Sequence, residues 1–442
     1  MYKRMFCFLA VVSALFAAPP SQASVKVLHN FCSSKKCADG KKPVADLVTD
    51  GAGNVYGTAS EGGSTTACSS GCGVVFSLQE GGNLKDKYNY QVVHAFQGGS
   101  DGANPLAGLV FDGAGNLYGT TAQGGGTGCG GAGCGTVFEL STDPGGGWTE
   151  TVIYRFHGPD GATPAAEVLI DPKGNLFGTT ENGGVNGEGT IFQLSFEGSG
   201  SWNETVLHNF QAELDGANPV AGLAFDAQLN LWGTARNAGA DGFGTIFMLT
   251  AAPNLVFEPF YSFTGGMDGG NPVAGLTLDL FDGNLYGTAS AGGETSCSGG
   301  CGTVFFLNMP DGVANPVYQF SGGTDGAVPL GRLGVNNSTG NLYGTASVGG
   351  TVTGNCSSGG CGTAFEICRP GGTCGFEEYT LLDFNGKNGA NPAAGMLLDV
   401  ASSEGPTGQG VQPQKSGQCP TNCIGTDSDG GADGGGDVFQ IP

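Results

Sequence analysis

A six-residue string, Gly-Asn-Leu-Tyr-Gly-Thr with small variations, returns at Asn54, Asn116, Asn175, Asn230, Asn284 and Asn341, at spacings of 62, 59, 55, 54 and 57 residues. Upstream of each copy lies an Asp-Gly-x-x-Pro segment leading into a small residue and a leucine, and its prolines fall at 43, 105, 164, 219, 272, 329 and 392. Periods in this range belong to repeat architectures, in which one unit cannot bury its own apolar face and must stack on its neighbours. Seven units therefore share one core. Within a unit, Pro105 to Asp112, Asn116 to Thr121, Gly135 to Leu140 and Thr151 to Phe156 are short β-rich runs bounded by Gly, Asp, Asn or Pro. Such runs are strands between turns, and helical periodicity is absent. Four antiparallel strands repeated seven times predict an all-β, seven-bladed β-propeller.

The two ends of the chain argue for a closed ring. Val25 to Phe31 matches the fourth strand of a unit, whereas Gly436 to Pro442 matches only the third. The N-terminal strand is thus expected to complete the last blade. Residues 24–442 then form one propeller domain. Residues 1–23 read as a signal peptide, with basic Lys3 and Arg4, an apolar run from Met5 to Ala18, and a small-residue cleavage site at Ser21-Gln22-Ala23. That apolar run is short for a membrane span, and no second one follows, so the mature chain is expected to be secreted, extracellular or periplasmic, with no membrane span.

Export gives the cysteines a meaning. Without Cys7, fourteen remain in close pairs: Cys32/Cys37, Cys68/Cys72, Cys129/Cys134, Cys297/Cys301, Cys356/Cys361, Cys368/Cys374 and Cys419/Cys423. In an oxidising compartment they are expected to form seven local disulfides, since the pairs lack histidines at zinc-ligand spacing. Four pairs fall in the hairpin loops of blades 1, 2, 5 and 6, which span 16, 16, 15 and 18 residues; the corresponding loops of blades 3, 4 and 7 span 11 and hold none. Gly and Pro make up 107 of 442 residues, but 27 Phe, 11 Tyr and only 12% charged residues point to a folded chain with many turns rather than to disorder. A net charge of -23 excludes a nucleic-acid or anionic-membrane binder that works through a basic field.

The unit Asp-Gly-Ala-Asn-Pro-x-Ala-Gly-Leu, Gly-Asn-Leu-Tyr-Gly-Thr-Thr, Gly-Gly, Gly-Thr-Val-Phe resembles the GloVer tandem repeat of exported bacterial proteins, named from Gloeobacter and Verrucomicrobia. The resemblance spans nearly all of the mature chain. It implies a bacterial surface or extracellular repeat protein of unassigned activity, often carrying a C-terminal sorting segment. Here the sequence stops two residues after Phe439-Gln440, so release or a periplasmic location is expected rather than anchoring.

Equivalent positions across seven units separate structural residues from candidates. His29, His94 and His208 stand two residues before a strand Phe, where other units have Tyr154, Tyr261, Tyr318 and Leu382, and are read as packing residues. Tyr56, Tyr118, Phe177, Trp232, Tyr286 and Tyr343 are read as core between blades. Asp39, Asp101, Asp160, Asp215, Asp268 and Asp325, with Asn388 in the seventh unit, lie in blade-joining loops. Asp-Gly is a turn pair, so turn chemistry is the first reading; an acidic rim binding Ca²⁺ or a cationic partner is the second. His157 lies off the repeat pattern and remains a ligand candidate.

The innermost strand carries the main departures. Where Gly108, Gly222, Gly275 and Gly395 stand in four units, Asp46, Glu167 and Arg332 stand in three others. Convergence on the axis would make them candidate catalytic or ligand-gripping residues, or an ion-pair plug. The stretch from Asp427 to Asp437 resembles a calcium loop but aligns with Thr180 to Thr190, so an ordinary hairpin loop is expected. No His-Glu-x-x-His or phosphate-loop motif occurs. The first functional reading is an exported binding module for an extracellular protein or carbohydrate that uses the disulfide-stapled face and the channel mouth; the alternative is a polysaccharide lyase or hydrolase with its active site at the channel mouth. No cofactor is expected beyond the calcium left open above.

Overall fold

The computed structural model describes residues 25–63, 67–80, 88–198, 200–280, 282–309, 312–351, 356, 359–369, 375–399, 419 and 422–441. The expected signal segment, Cys374 and most of the irregular insertion near 401–420 lie outside these residues. The described chain forms seven four-stranded antiparallel sheets. In the second blade the strands are Val110–Phe111, Leu117–Thr121, Thr136–Thr142 and Trp148–Arg155, each hydrogen-bonded to the next. Helix is limited, among the described residues, to three-residue turns at Lys35–Cys37 and Cys129–Gly131.

The last blade combines Leu397–Asp399, Asn422–Asp427 and Asp437–Ile441 with the N-terminal strand Lys26–Asn30. Lys26 lies opposite Gln440, Val27 opposite Phe439 and Asn30 opposite Asp437. The ring is therefore closed by the two ends of the chain, as the sequence leads one to expect.

Two contacts repeat at every joint between blades. The Phe that ends each fourth strand packs edge-on against the Phe of the third strand in the next blade, from Phe96 on Phe138 at 5.2 Å to Phe384 on Phe439 at 5.0 Å and, across the seam, Phe31 on Phe76 at 5.1 Å. The Gly of each Gly-Thr makes room for this ring: a Cβ on Gly119 would lie 2.6 Å from Phe138 Cζ and 2.8 Å from Leu109 Cδ2. The adjoining Thr hydroxyl donates to a carbonyl of the neighbouring blade's innermost segment, Thr58 to Ala107 at 2.9 Å, Thr120 to Ala166 at 3.1 Å and, across the seam, Thr426 to Ala45 at 3.3 Å. Both contacts explain why the motif returns in each unit.

Six disulfides join described residues: Cys32–Cys37, Cys68–Cys72, Cys129–Cys134, Cys297–Cys301, Cys356–Cys361 and Cys419–Cys423. The seventh expected pair, Cys368/Cys374, includes a residue outside the described ones. The bridged hairpin loops lie against the blade-joining loops; a Cβ on Gly98 would be 3.3 Å from the sulfurs of Cys68 and Cys72. Disulfide loops and junction aspartates thus share one face of the ring. No helix of the described residues is long and apolar enough to cross a membrane. The disulfides fit an extracellular protein.

Candidate functional site

The segment after each repeat proline, Pro-x-small-x-apolar, turns toward the axis because the strand of two or three residues that follows is the innermost of its sheet. Residues from all seven blades, among them Ala45, Ala107, Ala166, Ala221, Ala274, Gly331 and Ala393, line a small axial cavity of about 100 Å³. Asp46, Glu167 and Arg332 also line it, so the three departures from glycine do converge. Arg332 Nη1 forms an ion pair with Glu167 Oε1, and Asp46 Oδ1 accepts the Gly395 N–H at 2.6 Å. Neighbouring glycines provide the space for these long side chains. A Cβ on Gly275 would lie 2.5 Å from Arg332 Nη2, and one on Gly222 would lie 2.8 Å from Glu167 Cγ.

Burial pushes the Glu167 carboxyl upward, with Arg332 opposing and Asp46 adding to the shift. Burial also works against the charge of Arg332, but Glu167 and Asp46 outweigh it and hold the guanidinium protonated. The same three residues border a second cavity of about 500 Å³ further along the axis. Its walls come from the innermost strands and the turns after them, chiefly Leu47, Leu109, Val168, Leu278, Leu333 and Leu398. It extends toward the turns between first and second strands, away from the disulfide loops. The axis is therefore an apolar funnel with a charged floor.

The junction aspartates have intramolecular partners. Asp101 accepts from the Gln97 N–H at 2.5 Å, Asp160 from His157 at 2.8 Å, Asp215 from Gln211 at 2.8 Å, Asp268 from Thr264 at 2.8 Å and Asp325 from Ser321 at 2.7 Å. Each also meets the side chain two residues before the blade Phe: Tyr154 donates to Asp160 at 2.6 Å, and His208 Nε2 lies 2.6 Å from Asp215. The strand histidines thus face junction carboxylates as well as packing: His208 is hydrogen-bonded and stacks on Phe257, while His29 and His94 lie 3.3 and 3.5 Å from Asp39 and Asp101, His29 stacked on Tyr90. Burial opposes the charge of Asp39, Asp101 and Asp160, but their hydrogen bonds hold all three below the usual carboxylate range. His157 is exposed, with Nδ1 3.2 Å from Asp160.

Sequence reasoning passed over the third member of these joints. The outer-strand residue six before the Phe reaches back to the preceding junction, and it is glutamate at Glu150, Glu204 and Glu378. Burial first, with the charges of Asp101 and Asp160 next for the first two, pushes Glu150 and Glu204 to about 7. Glu378 is pushed to about 7 chiefly by burial, with Asp325 contributing. Donor atoms of His94, Asp101 and Glu150 all lie within 4.8 Å of one another, which is compact enough to hold a cation. The signal was present in the register, because the other blades have Tyr90, Phe257, Ala314 and Val25 at that position. Arg369 was also missed; it leaves blade 6 to pair with Asp279 and Asp282 of blade 5 and lies 4.6 Å from the Tyr286 ring centroid.

A closed ring of seven near-identical blades with one charged axial constriction defines a β-propeller repeat protein. The family model of the Gloeobacter/Verrucomicrobia repeat matches residues 12–224, 129–356 and 198–416, and the chain belongs to that family. No curated protein matches it. Solved structures similar to it include a protein from Bacteroides uniformis assigned as a 6-phosphogluconolactonase, at 15% identity and TM-score 0.49, covering 78% of this chain and 86% of that one. An ulvan lyase of a polysaccharide lyase family is similar at 12% identity and TM-score 0.46, covering 78% and 87%. The PQQ-bound aldose sugar dehydrogenase of Streptomyces coelicolor is similar at 13% and 0.42, covering 96% and 99%. None of these likenesses assigns an activity.

Proposed function

We propose that the protein is an exported binding module and that its ligand enters the axial funnel with an apolar group against the walls and a polar or anionic end toward Arg332. The observation that carries this reading is the convergence of the three repeat-breaking residues on the floor of a large axial cavity, a concave apolar site with a few polar groups. Among the described residues the walls contain no aromatic side chain on which a sugar ring could stack, which favours an apolar side chain of a protein partner over a carbohydrate. Binding is favoured over catalysis because Glu167 and Arg332 engage each other and Asp46 engages a backbone N–H. The probe is 1-anilinonaphthalene-8-sulfonate, an apolar fluorophore with an anionic end. Saturable binding of about one dye per chain is expected, abolished by the funnel-filling Val168→Trp and weakened by Arg332→Met. Non-saturable binding, or binding that Val168→Trp leaves unchanged, defeats the reading.

One observation favours the lyase or hydrolase alternative: the upward-shifted carboxyl of Glu167 suits a general acid. Turnover of a polyuronate by the purified protein, lost in Glu167→Gln, would support it. Turnover that survives both Glu167→Ala and Arg332→Ala would remove it.

A further inference from the structure

The cross-strand pair that opens each hairpin loop between second and third strands is small and neutral in six blades. It is Ala59/Val74, Thr121/Thr136, Thr180/Thr190, Ala235/Thr245, Ala289/Thr303 and Ala346/Thr363. In the last blade it is Asp427/Asp437. Threonine hydroxyls at these positions donate to backbone carbonyls: Thr121 to Gln123 at 2.8 Å, Thr180 to Asn182 at 2.9 Å and Thr245 to Asp215 at 2.9 Å. A carboxylate can only accept. Two acceptors have replaced donors at a place where the surrounding backbone offers carbonyl oxygens, which by register belong here to Asn388 and Asp429.

Both aspartates are 0% exposed, and among the described residues none of their four carboxylate oxygens has a hydrogen-bond partner. An ionised carboxylate in that position is strongly unfavourable without a counter-charge. Burial pushes Asp427 well up, with the charge of Asp437 next and the nearby Ala390 and Asp437 N–H groups opposing only in part; Asp437 is pushed to about 7 by burial and then by Asp433. Glycines back both side chains, since a Cβ on Gly389 would run into the Asp427 carboxylate and one on Gly431 into that of Asp437. Asp429, whose Oδ2 accepts from Asn391 Nδ2 at 3.2 Å, and Asp433 add negative charge from the loop.

We propose that Asp427 and Asp437 are the carboxylate ligands of a calcium site enclosed by the loop between them, at the seam of the ring. An all-oxygen donor set of two carboxylates and backbone carbonyls suits a hard divalent cation, and Ca²⁺ tolerates irregular geometry that Mg²⁺ does not. The position gives the ion a structural role. Asp437 pairs with Asn30 of the N-terminal strand, and Asp427 is one residue beyond Thr426, whose hydroxyl bonds blade 1 across the seam. Bound calcium would hold together the three strands on which closure depends.

The test uses the whole exported chain, stripped with EDTA and dialysed at pH 7.5, with CaCl₂ as the probe in calorimetry and thermal unfolding. One saturable site per chain is expected, with Tm at least about 3 °C higher in 1 mM CaCl₂ than in EDTA. Asp427→Thr/Asp437→Thr, which installs the pair of the second and third blades, should show no calcium heat and the same Tm in both buffers. Should that variant fail to fold, Asp437→Asn should weaken calcium binding at least tenfold, and unchanged affinity overturns the proposal. Absence of heat and of a Tm shift in the unsubstituted protein overturns it. So does calcium heat that persists undiminished in the double variant, which would move the ion to another cluster such as His94, Asp101 and Glu150. A Tm that ignores calcium but rises as pH falls from 8 to 5, with the double variant flat, overturns it in favour of a shared proton.

Discussion

Replacing Arg332 with Met breaks the axial ion pair on one side only, and its cost follows from what remains. Glu167 would keep its place in the channel with no cation beside it and with Asp46 still charged nearby. Breaking a fully buried pair in this way costs about 3–5 kcal/mol. Here the two side chains retain 26% and 20% exposure to the cavities, so water reaches them and the expected loss is about 2 kcal/mol. Glu167→Gln should cost less, about 1 kcal/mol, because Arg332 keeps Asp46 as a counter-charge. The double variant leaves two neutral groups of similar volume and should recover much of the loss, giving a coupling of about 1–2 kcal/mol in a double-mutant cycle. Urea unfolding at pH 7.5 provides the free energies. A pH series adds an independent check. The folded-state shift of Glu167 is upward, so the folded protein holds its proton more tightly than the unfolded chain does. Stability from that proton is present below the unfolded value and lost as pH rises through the folded one. The Arg332→Met penalty should therefore grow from pH 5 to 8 and vanish over that range in the double variant. Strictly additive losses, or a penalty independent of pH, would refute the picture of two charges neutralising each other on the axis.

Deleting residues 25–31 removes the fourth strand of the last blade and the Phe31–Phe76 contact, and should lower Tm by at least 10 °C with early proteolysis near residues 422–441; an unchanged Tm counts against closure by the N-terminus. Cys297→Ser/Cys301→Ser should lose about 2 kcal/mol in urea unfolding, since the bridge closes a loop with a separation of only 4 residues, and a loss above about 4 kcal/mol would mean that the bridge acts through more than loop entropy. Glu150, Glu204 and Glu378 have raised folded values of about 7, so the stability their protons confer is full below about pH 4.5 and is lost as pH rises through 7. The triple glutamine variant should have a higher Tm than the unsubstituted chain at pH 8 and a flatter profile between pH 5 and 8, and parallel profiles would show that these carboxyls are already ionised. At the acid end, the lowered values of Asp39, Asp101 and Asp160 work in the opposite sense, with stability lost as pH falls through them.

Much of the architecture was legible because each blade is specified by local runs, and repetition of the pattern averages out ambiguity in any single run. Gly-Thr could be read as part of a strand, but not why both residues recur: the glycine admits Phe138 and its equivalents, and the threonine bonds a segment nearly fifty residues away in the neighbouring blade. The convergence of Asp46, Glu167 and Arg332 could be anticipated because symmetry assigns one strand position to the axis. Their pairing could not, since it depends on how far Arg332 reaches across Gly275 and Gly222. Glu150, Glu204 and Glu378 were overlooked for a different reason. They sit on the outer strand of one blade and act on the junction of the previous one, a relation visible only once both strands are in register. Asp427 and Asp437 were correctly aligned with a threonine pair, but their alignment alone did not reveal that every carboxylate oxygen would be buried without a donor.

The proposed ligand site lies where the repeat is broken, on the axis. The direct measurement is a crystal structure of the protein soaked with the sulfonate fluorophore. Density in the funnel is predicted, with the sulfonate near Arg332 and the rings against Leu109, Val168, Leu278 and Leu333. Density instead in the polar groove of about 430 Å³ between the loops of the first two blades, lined by Ser69, Ser70, Asn104 and Gln123, or an unchanged funnel, would contradict it.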